Sequence, residues 1–113
     1  MHPSVVGRVK HREGGCCAVC GLPIQGKGHL HHRAPRGMGG SAMLNSPANL
    51  VHLHETCHLK HVEQQRARAY LNGWLIRRGA RPRDVPFMYM LNGWVLLNED
   101  GTTTEVDEMG DRK

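Results

Sequence analysis

The sequence predicts a small α+β domain, with two short strands and one helix gathered around metal ligands, followed by a small β extension. Three observations carry that expectation. Two pairs of soft donors with matching gaps, Cys17-Ala-Val-Cys20 and His54-Glu-Thr-Cys57, bracket two short extended segments, His29 to Arg33 and Leu50 to Leu53. One run, Thr56 to Leu71, is free of Gly and Pro and rich in helix formers. The length of 113 residues leaves room for one domain and a tail, and 4% aromatic residues make a thin core that bound metal would help to stabilise.

The elements follow in chain order. Residues 1–15 place Val5, Val6 and Val9 among basic residues before Gly14-Gly15, which reads as a loose N-terminal arm or a short edge strand. Cys17 to Pro23 is a tight turn of the knuckle type, whose backbone amides can face thiolates. His29 to Arg33 is extended. Residues 34–41, with three glycines and a proline, form a loop. Residues 45–49 turn the chain into a second strand, Leu50 to Leu53. The helix over Thr56 to Leu71 starts at Glu55 or Thr56 and stops at Asn72-Gly73, with Leu59, Val62, Ala69 and Tyr70 as its apolar stripe. Leu71-Asn-Gly-Trp74-Leu-Ile76 is echoed by Leu91-Asn-Gly-Trp94-Val-Leu96, each an Asn-Gly turn delivering a Trp into a strand-like run. Asn98 to Gly101 separates Trp94–Leu97 from Thr102–Val106 as a hairpin, and 109–113 is a frayed end.

Net charge is +5, unevenly distributed. Residues 86–113 hold six carboxylates against two basic groups, whereas residues 1–85 hold thirteen basic groups against four acidic ones. So basic a body fits a polyanionic partner, above all nucleic acid, or simply a solvated basic surface; charge alone does not separate the two. The chain contains no apolar run of about 18 residues and no basic-then-apolar leader, so neither a membrane span nor secretion is expected. A cytoplasmic, reducing setting favours cysteines as metal ligands over disulfides.

Cys17, Cys20, His54 and Cys57 together make a Cys3His set suited to structural zinc. Cys16 competes with Cys17, but its longer gap to Cys20 favours Cys17. A second group comprises His31, His32, Asn49 and His58. Cys57 and His58 are neighbours at a helix start, where consecutive side chains diverge by about 100°. One can serve the knuckle while the other points elsewhere. His31 and His58 can then hold one divalent ion with open coordination positions, leaving His32 beside it.

At these residues the chain resembles the HNH endonucleases of the His-Me finger, or ββα-metal, superfamily. The matching string is Cys17-x-x-Cys20, His31-His32-Arg33, Pro35-Arg36-Gly-Met-Gly-Gly40, Asn49-Leu50 and His54-x-x-Cys57-His58. It is most similar to the small HNH proteins of bacteriophages that are associated with genome packaging. The resemblance implies a ββα-metal nuclease core over 16–73, flanked by the arm (1–15) and by a C-terminal β extension with an acidic tail (74–113). It implies DNA as substrate, a phage terminase as a partner, and products with 5′-phosphate and 3′-hydroxyl ends. His32 matches the general base, His31 and His58 the ligands of the catalytic ion, and Asn49 the central Asn that braces the base-bearing loop. Arg33 and Arg36 are expected to clamp phosphate. Two positions depart from the commonest pattern: His54 replaces a fourth zinc Cys, and His31 replaces Asp. The nitrogen-rich site shifts preference from Mg2+ toward Mn2+, Ni2+ or Zn2+ and leaves the working ion open. His61 is a further ligand candidate, a phosphate contact or a surface residue. The competing expectation is a non-catalytic, zinc-dependent DNA-binding or packaging-adaptor module, and the oligomeric state is undetermined by sequence.

Overall fold

The computed structural model describes residues 2–26, 28–35 and 44–113. Most of the loop expected over 34–41, Arg36 included, lies outside these residues. The described part of the expected arm, residues 2–15, is not a loose arm or a strand. Pro3–Glu13 is an α-helix, α1, capped by the His2 ring, which accepts from the Ser4 amide at 3.1 Å. Left-handed Gly14 ends it, its N–H bonded to the carbonyls of Lys10 and His11, and Lys10, His11 and Arg12 sit where the helix dipole favours positive charge. Tertiary contacts overcome the poor helix propensity of its valines and Gly7. Val9 is buried. Arg12 pairs with Glu13 at 2.6 Å and donates to the carbonyls of Pro47 (2.8 Å) and Leu50 (2.6 Å), while Glu13 accepts from the His52 amide and the Tyr89 hydroxyl.

The knuckle follows, its Ala18 amide donating to the His52 carbonyl at 3.0 Å. β1 (His29–His32) pairs antiparallel with β2 (Leu50–Leu53), in the register His29 to Leu53 and His32 to Leu50. The pleat sets His29 and His31 on one face of β1 and Leu30 and His32 on the other.

The single helix expected from Thr56 to Leu71 is divided. A turn of α-helix, α2 (Glu55–Cys57), runs directly into a π-helical segment (His58–Glu63) that closes with the Gln64 amide on the Leu59 carbonyl. Gln65 leaves helical geometry at φ −134°, ψ 57°, and α3 (Arg66–Leu71) begins after it. Of the expected stripe, Val62 and Ala69 are buried and Tyr70 half-buried, whereas Leu59 is exposed.

A short 3-10 turn (Pro82–Asp84) precedes an antiparallel sheet in the order β3 (Phe87–Met88), β4 (Trp94–Leu97), β5 (Thr103–Glu105). The β4–β5 hairpin agrees with the sequence reading, and β3 was not anticipated. The first copy of the echo forms no strand: the Trp74 amide caps the carbonyl of Ala69, and Leu75 and Ile76 are buried in irregular chain. In the second copy the turn falls two residues early, on Met90 and Leu91, both at φ 55°. One core joins Cys17, Val19, Val51, Leu53 and Val62 to Trp74, Phe87, Val95 and Leu97, so 74–113 packs into the same interior as 16–73. Among the described residues no helix is long and apolar enough to cross a membrane.

Candidate metal centre and histidine cluster

The two donor pairs converge. One ligand atom from each of Cys17, Cys20, His54 and Cys57 lies within 4.8 Å of every other. His54 Nδ1 is 3.2 Å from Cys20 Sγ and 3.8 Å from Cys57 Sγ. A tetrahedral zinc with Zn–S near 2.3 Å and Zn–N near 2.0 Å separates its ligands by about 3.5 Å, so the donor set fits. His54 Nε2 donates to the Pro23 carbonyl at 2.9 Å, which turns the Nδ1 lone pair toward the thiols. Burial raises the Cys17 thiol, but backbone amides of Cys20, His54 and Val19 outweigh it and hold the group below its ordinary value. Cys57 is pushed up to about 12 by burial and by the neighbouring Cys17 and Cys20. A cation among them is what would let these thiols ionise together. Cys16 is not in the group; its Sγ lies 3.9 Å from the Gly14 carbonyl.

Cys57 closes α2 and His58 opens the π-helical segment, so one side chain enters the cysteine cluster while the next reaches β1. The His58 and His31 ring centroids are 5.0 Å apart with planes crossing at 63°. Buried His31 donates from Nε2 to the Trp74 carbonyl at 2.7 Å and keeps an Nδ1 lone pair. Burial pushes its pKa down to about 4, against the Trp74 bond, with His58, Arg33 and His32 adding repulsion. Burial also lowers His58, helped by His29 and opposed by Glu63. His29 was missed in the sequence. Its ring stacks on His58 at 5.0 Å and 5°, and the available signal was the His-x-His alternation along β1. A ligated ion lies near the plane of each imidazole, so the parallel rings of His29 and His58 cannot share one in this arrangement, a bar that the crossed planes of His31 and His58 do not impose. Among the described residues neither His31 nor His58 belongs to a group of three or more His, Cys, Asp or Glu in ligand geometry.

His32 belongs to neither ring pair. Its Nε2 lies 3.2 Å from Asn45 Oδ1. Asn49 is fully buried: its Oδ1 accepts from the Ala34 amide at 2.8 Å, and its Nδ2 donates to the carbonyls of Leu44 (2.8 Å) and Ala34 (3.2 Å). The side chain thus ties the end of β1 to the turn before β2.

Arg33 is a correction. Expected as a phosphate clamp, it is fully buried, donating from Nε to Gly73 (2.8 Å), from Nη1 to Ala48 (2.8 Å) and Pro82 (3.1 Å), and from Nη2 to Val85 (2.8 Å), all carbonyls. The guanidinium carbon sits 5.2 Å from the Phe87 ring centroid. Burial, with repulsion from Arg12, draws its pKa down to about 9, so the charge persists at neutral pH. Converging carbonyls of irregular chain, which sequence spacing does not reveal, take four of its five N–H donors. Arg36 lies outside the described residues. His61 packs edge-on against Trp74 with 6.0 Å between centroids, its buried Nδ1 unpartnered, and it joins no ligand group. Lys60, Arg66 and Arg68 are exposed.

The fold and donor set together define a compact α+β protein with small sheets, whose Cys3His cluster could hold a zinc ion. No protein-family model, curated protein or solved structure matches the chain.

Proposed function

We propose that this chain is a metal-dependent DNA endonuclease of the HNH kind. The observation that carries the reading is the crossing of His31 and His58 at the junction of the β1–β2 ribbon and the helix, immediately beside the cysteine cluster. A structural knuckle requires neither histidine. Cys17, Cys20, His54 and Cys57 would hold zinc; His31 and His58 would hold a divalent ion, Mg2+, Mn2+, Ni2+ or Zn2+. When bound, that ion supplies Lewis-acid stabilisation of charge on the phosphate and the leaving oxygen. His32 takes a proton from water, whose oxygen forms the new P–O bond as the 3′ oxygen departs with the bonding pair. Asn49 fixes the segments on either side of the base. The basic surface, including exposed Lys60, Arg66 and Arg68, supplies phosphate attraction without base reading. A role beside a phage terminase in genome packaging extends the reading and is testable by co-purification.

The deciding experiment is nicking of supercoiled plasmid by zinc-loaded protein, with each of the four ions, beside His32→Ala. The parent is expected to nick, and the variant to lose about 100-fold or more while keeping its zinc and fold. A parent that binds DNA in a salt-dependent way but nicks with no ion belongs instead to a non-catalytic DNA-binding or packaging-adaptor module.

A further inference from the structure

Under the nuclease reading, the general base needs one imidazole nitrogen held and the other free. We infer that Asn45 is the positioning residue that makes this choice for His32, and that Asn49 acts on the base through Asn45. His32 Nε2 faces Asn45 Oδ1 at 3.2 Å. With Nε2–H donating to the amide oxygen, the lone pair that receives the proton of water sits on Nδ1. Asn45 stands between two residues that Asn49 holds. The Asn49 Nδ2 donates to the Leu44 carbonyl at 2.8 Å, and the Asn49 backbone amide donates to the Ser46 carbonyl at 3.0 Å. The same Asn49 grips the strand that carries His32. Its carbonyl accepts from the Arg33 amide at 2.9 Å, and its Oδ1 accepts from the Ala34 amide at 2.8 Å. Both ends of the His32–Asn45 bond are therefore anchored on one buried residue, through its side chain and its backbone. The central Asn touches neither ring nitrogen of His32, and its influence passes through a four-residue turn.

The opposite amide orientation, with Asn45 donating its N–H to Nε2, would place the ring proton on Nδ1 and leave no free base nitrogen. Asparagine permits either orientation and aspartate only the accepting one, so substitution separates them. In zinc-loaded protein supplied with Mn2+, Asn45→Ala is expected to slow single-turnover plasmid nicking by about 10- to 100-fold with plasmid affinity unchanged. Asn45→Asp is expected to restore most of that rate, and Asn45→Ala to cost nothing further in a His32→Ala background. An unchanged rate in Asn45→Ala, an Asn45→Asp as slow as the alanine variant, or an additive loss in the double variant overturns the inference. A second readout does not need turnover. Long-range 1H–15N spectra of the histidine rings at pH 8 are expected to show His32 as the Nε2–H tautomer, with its ring proton protected from exchange in the parent and in Asn45→Asp but not in Asn45→Ala. An Nδ1–H tautomer, or equal exchange in all three, overturns it. A parent that nicks nothing overturns the nuclease reading, and the ring spectra then decide the His32–Asn45 bond alone.

Discussion

Arg33 is a buried cation with no carboxylate against it; four backbone carbonyls and an aromatic face replace the water it has lost. Truncation leaves the Gly73, Ala48 and Val85 carbonyls without the donor they have in the interior, while Pro82 keeps the Val85 amide, so Arg33→Ala is expected to destabilise zinc-loaded protein by about 3–5 kcal/mol in urea unfolding. Arg33→Lys should recover little of that, because a single ammonium cannot span Gly73, Ala48 and Val85. A surface clamp would instead keep full stability and lose DNA affinity. His31 makes a second residue-level prediction. Its folded pKa, about 4, lies below the ordinary value of 6.5, so the unfolded chain binds the proton first as pH falls. Its contribution is therefore complete above about pH 6.5, declines as the unfolded state takes up its proton, and reaches its full loss near pH 4. Between pH 7 and 5.5 this amounts to about 1 kcal/mol. His31→Gln keeps a donor for the Trp74 carbonyl and does not titrate. The difference in melting temperature between those two pH values is expected to shrink in that variant, and an unchanged difference would place the acid sensitivity elsewhere, for instance in the thiolates.

Two glycines, one inside a helix and one just past the end of another, predict opposite outcomes. Gly7 lies inside α1, where an added Cβ meets nothing within 4 Å, so Gly7→Ala is expected to stabilise by about 0.5–1 kcal/mol. Gly73, after α3, has φ 73°, and a Cβ there would collide with the Pro86 carbonyl. Gly73→Ala is expected to cost about 2–4 kcal/mol, read from the same unfolding curves. The contrast also separates what was legible in the sequence from what was not. The Cys17–Cys20 and His54–Cys57 pairs and the β4–β5 hairpin depend on spacing within a few residues, and the chain displays that spacing openly; β1 and β2 were each legible as short extended segments, although their pairing spans a long connection. α1 depends on Arg12 reaching Pro47 and Leu50 and on Glu13 reaching His52, contacts that no local window contains. Its β-branched residues and Gly7 argued the other way. The break at Gln64-Gln65 occurs between two good helix formers, and nothing local marks it. At the site, His31 and His58 could be paired from their neighbours, but Asn45 carries no motif, and its contact with His32 exists only because the turn before β2 folds back on the strand.

The same interior serves the cysteine cluster and both sheets, with Cys17 and Cys57 buried in one core with Phe87, Val95 and Leu97. Under the zinc reading, metal removal should therefore loosen the whole molecule. Chelation is expected to lower the melting temperature by more than about 10 °C and to abolish amide protection in the distant β4–β5 hairpin along with that in the knuckle. Survival of hairpin protection in stripped protein would show that the C-terminal sheet stands by itself. The chain's charge is divided as its core is not: the carboxylates of residues 86–113 follow β4, on β5 and in the segments after each strand, while thirteen of the fifteen basic groups precede residue 86. The adjacency of Cys57 and His58 has a consequence in time. A filled Cys3His cluster fixes the backbone from which His58 departs, so under the proposed function zinc would be loaded first and the hydrolytic ion second. Scarcity of the second ion would leave a folded, dormant protein, whereas scarcity of zinc would leave nothing for the second ion to find. The chain would then read two metal supplies in series, with the destructive activity gated by the stricter of them.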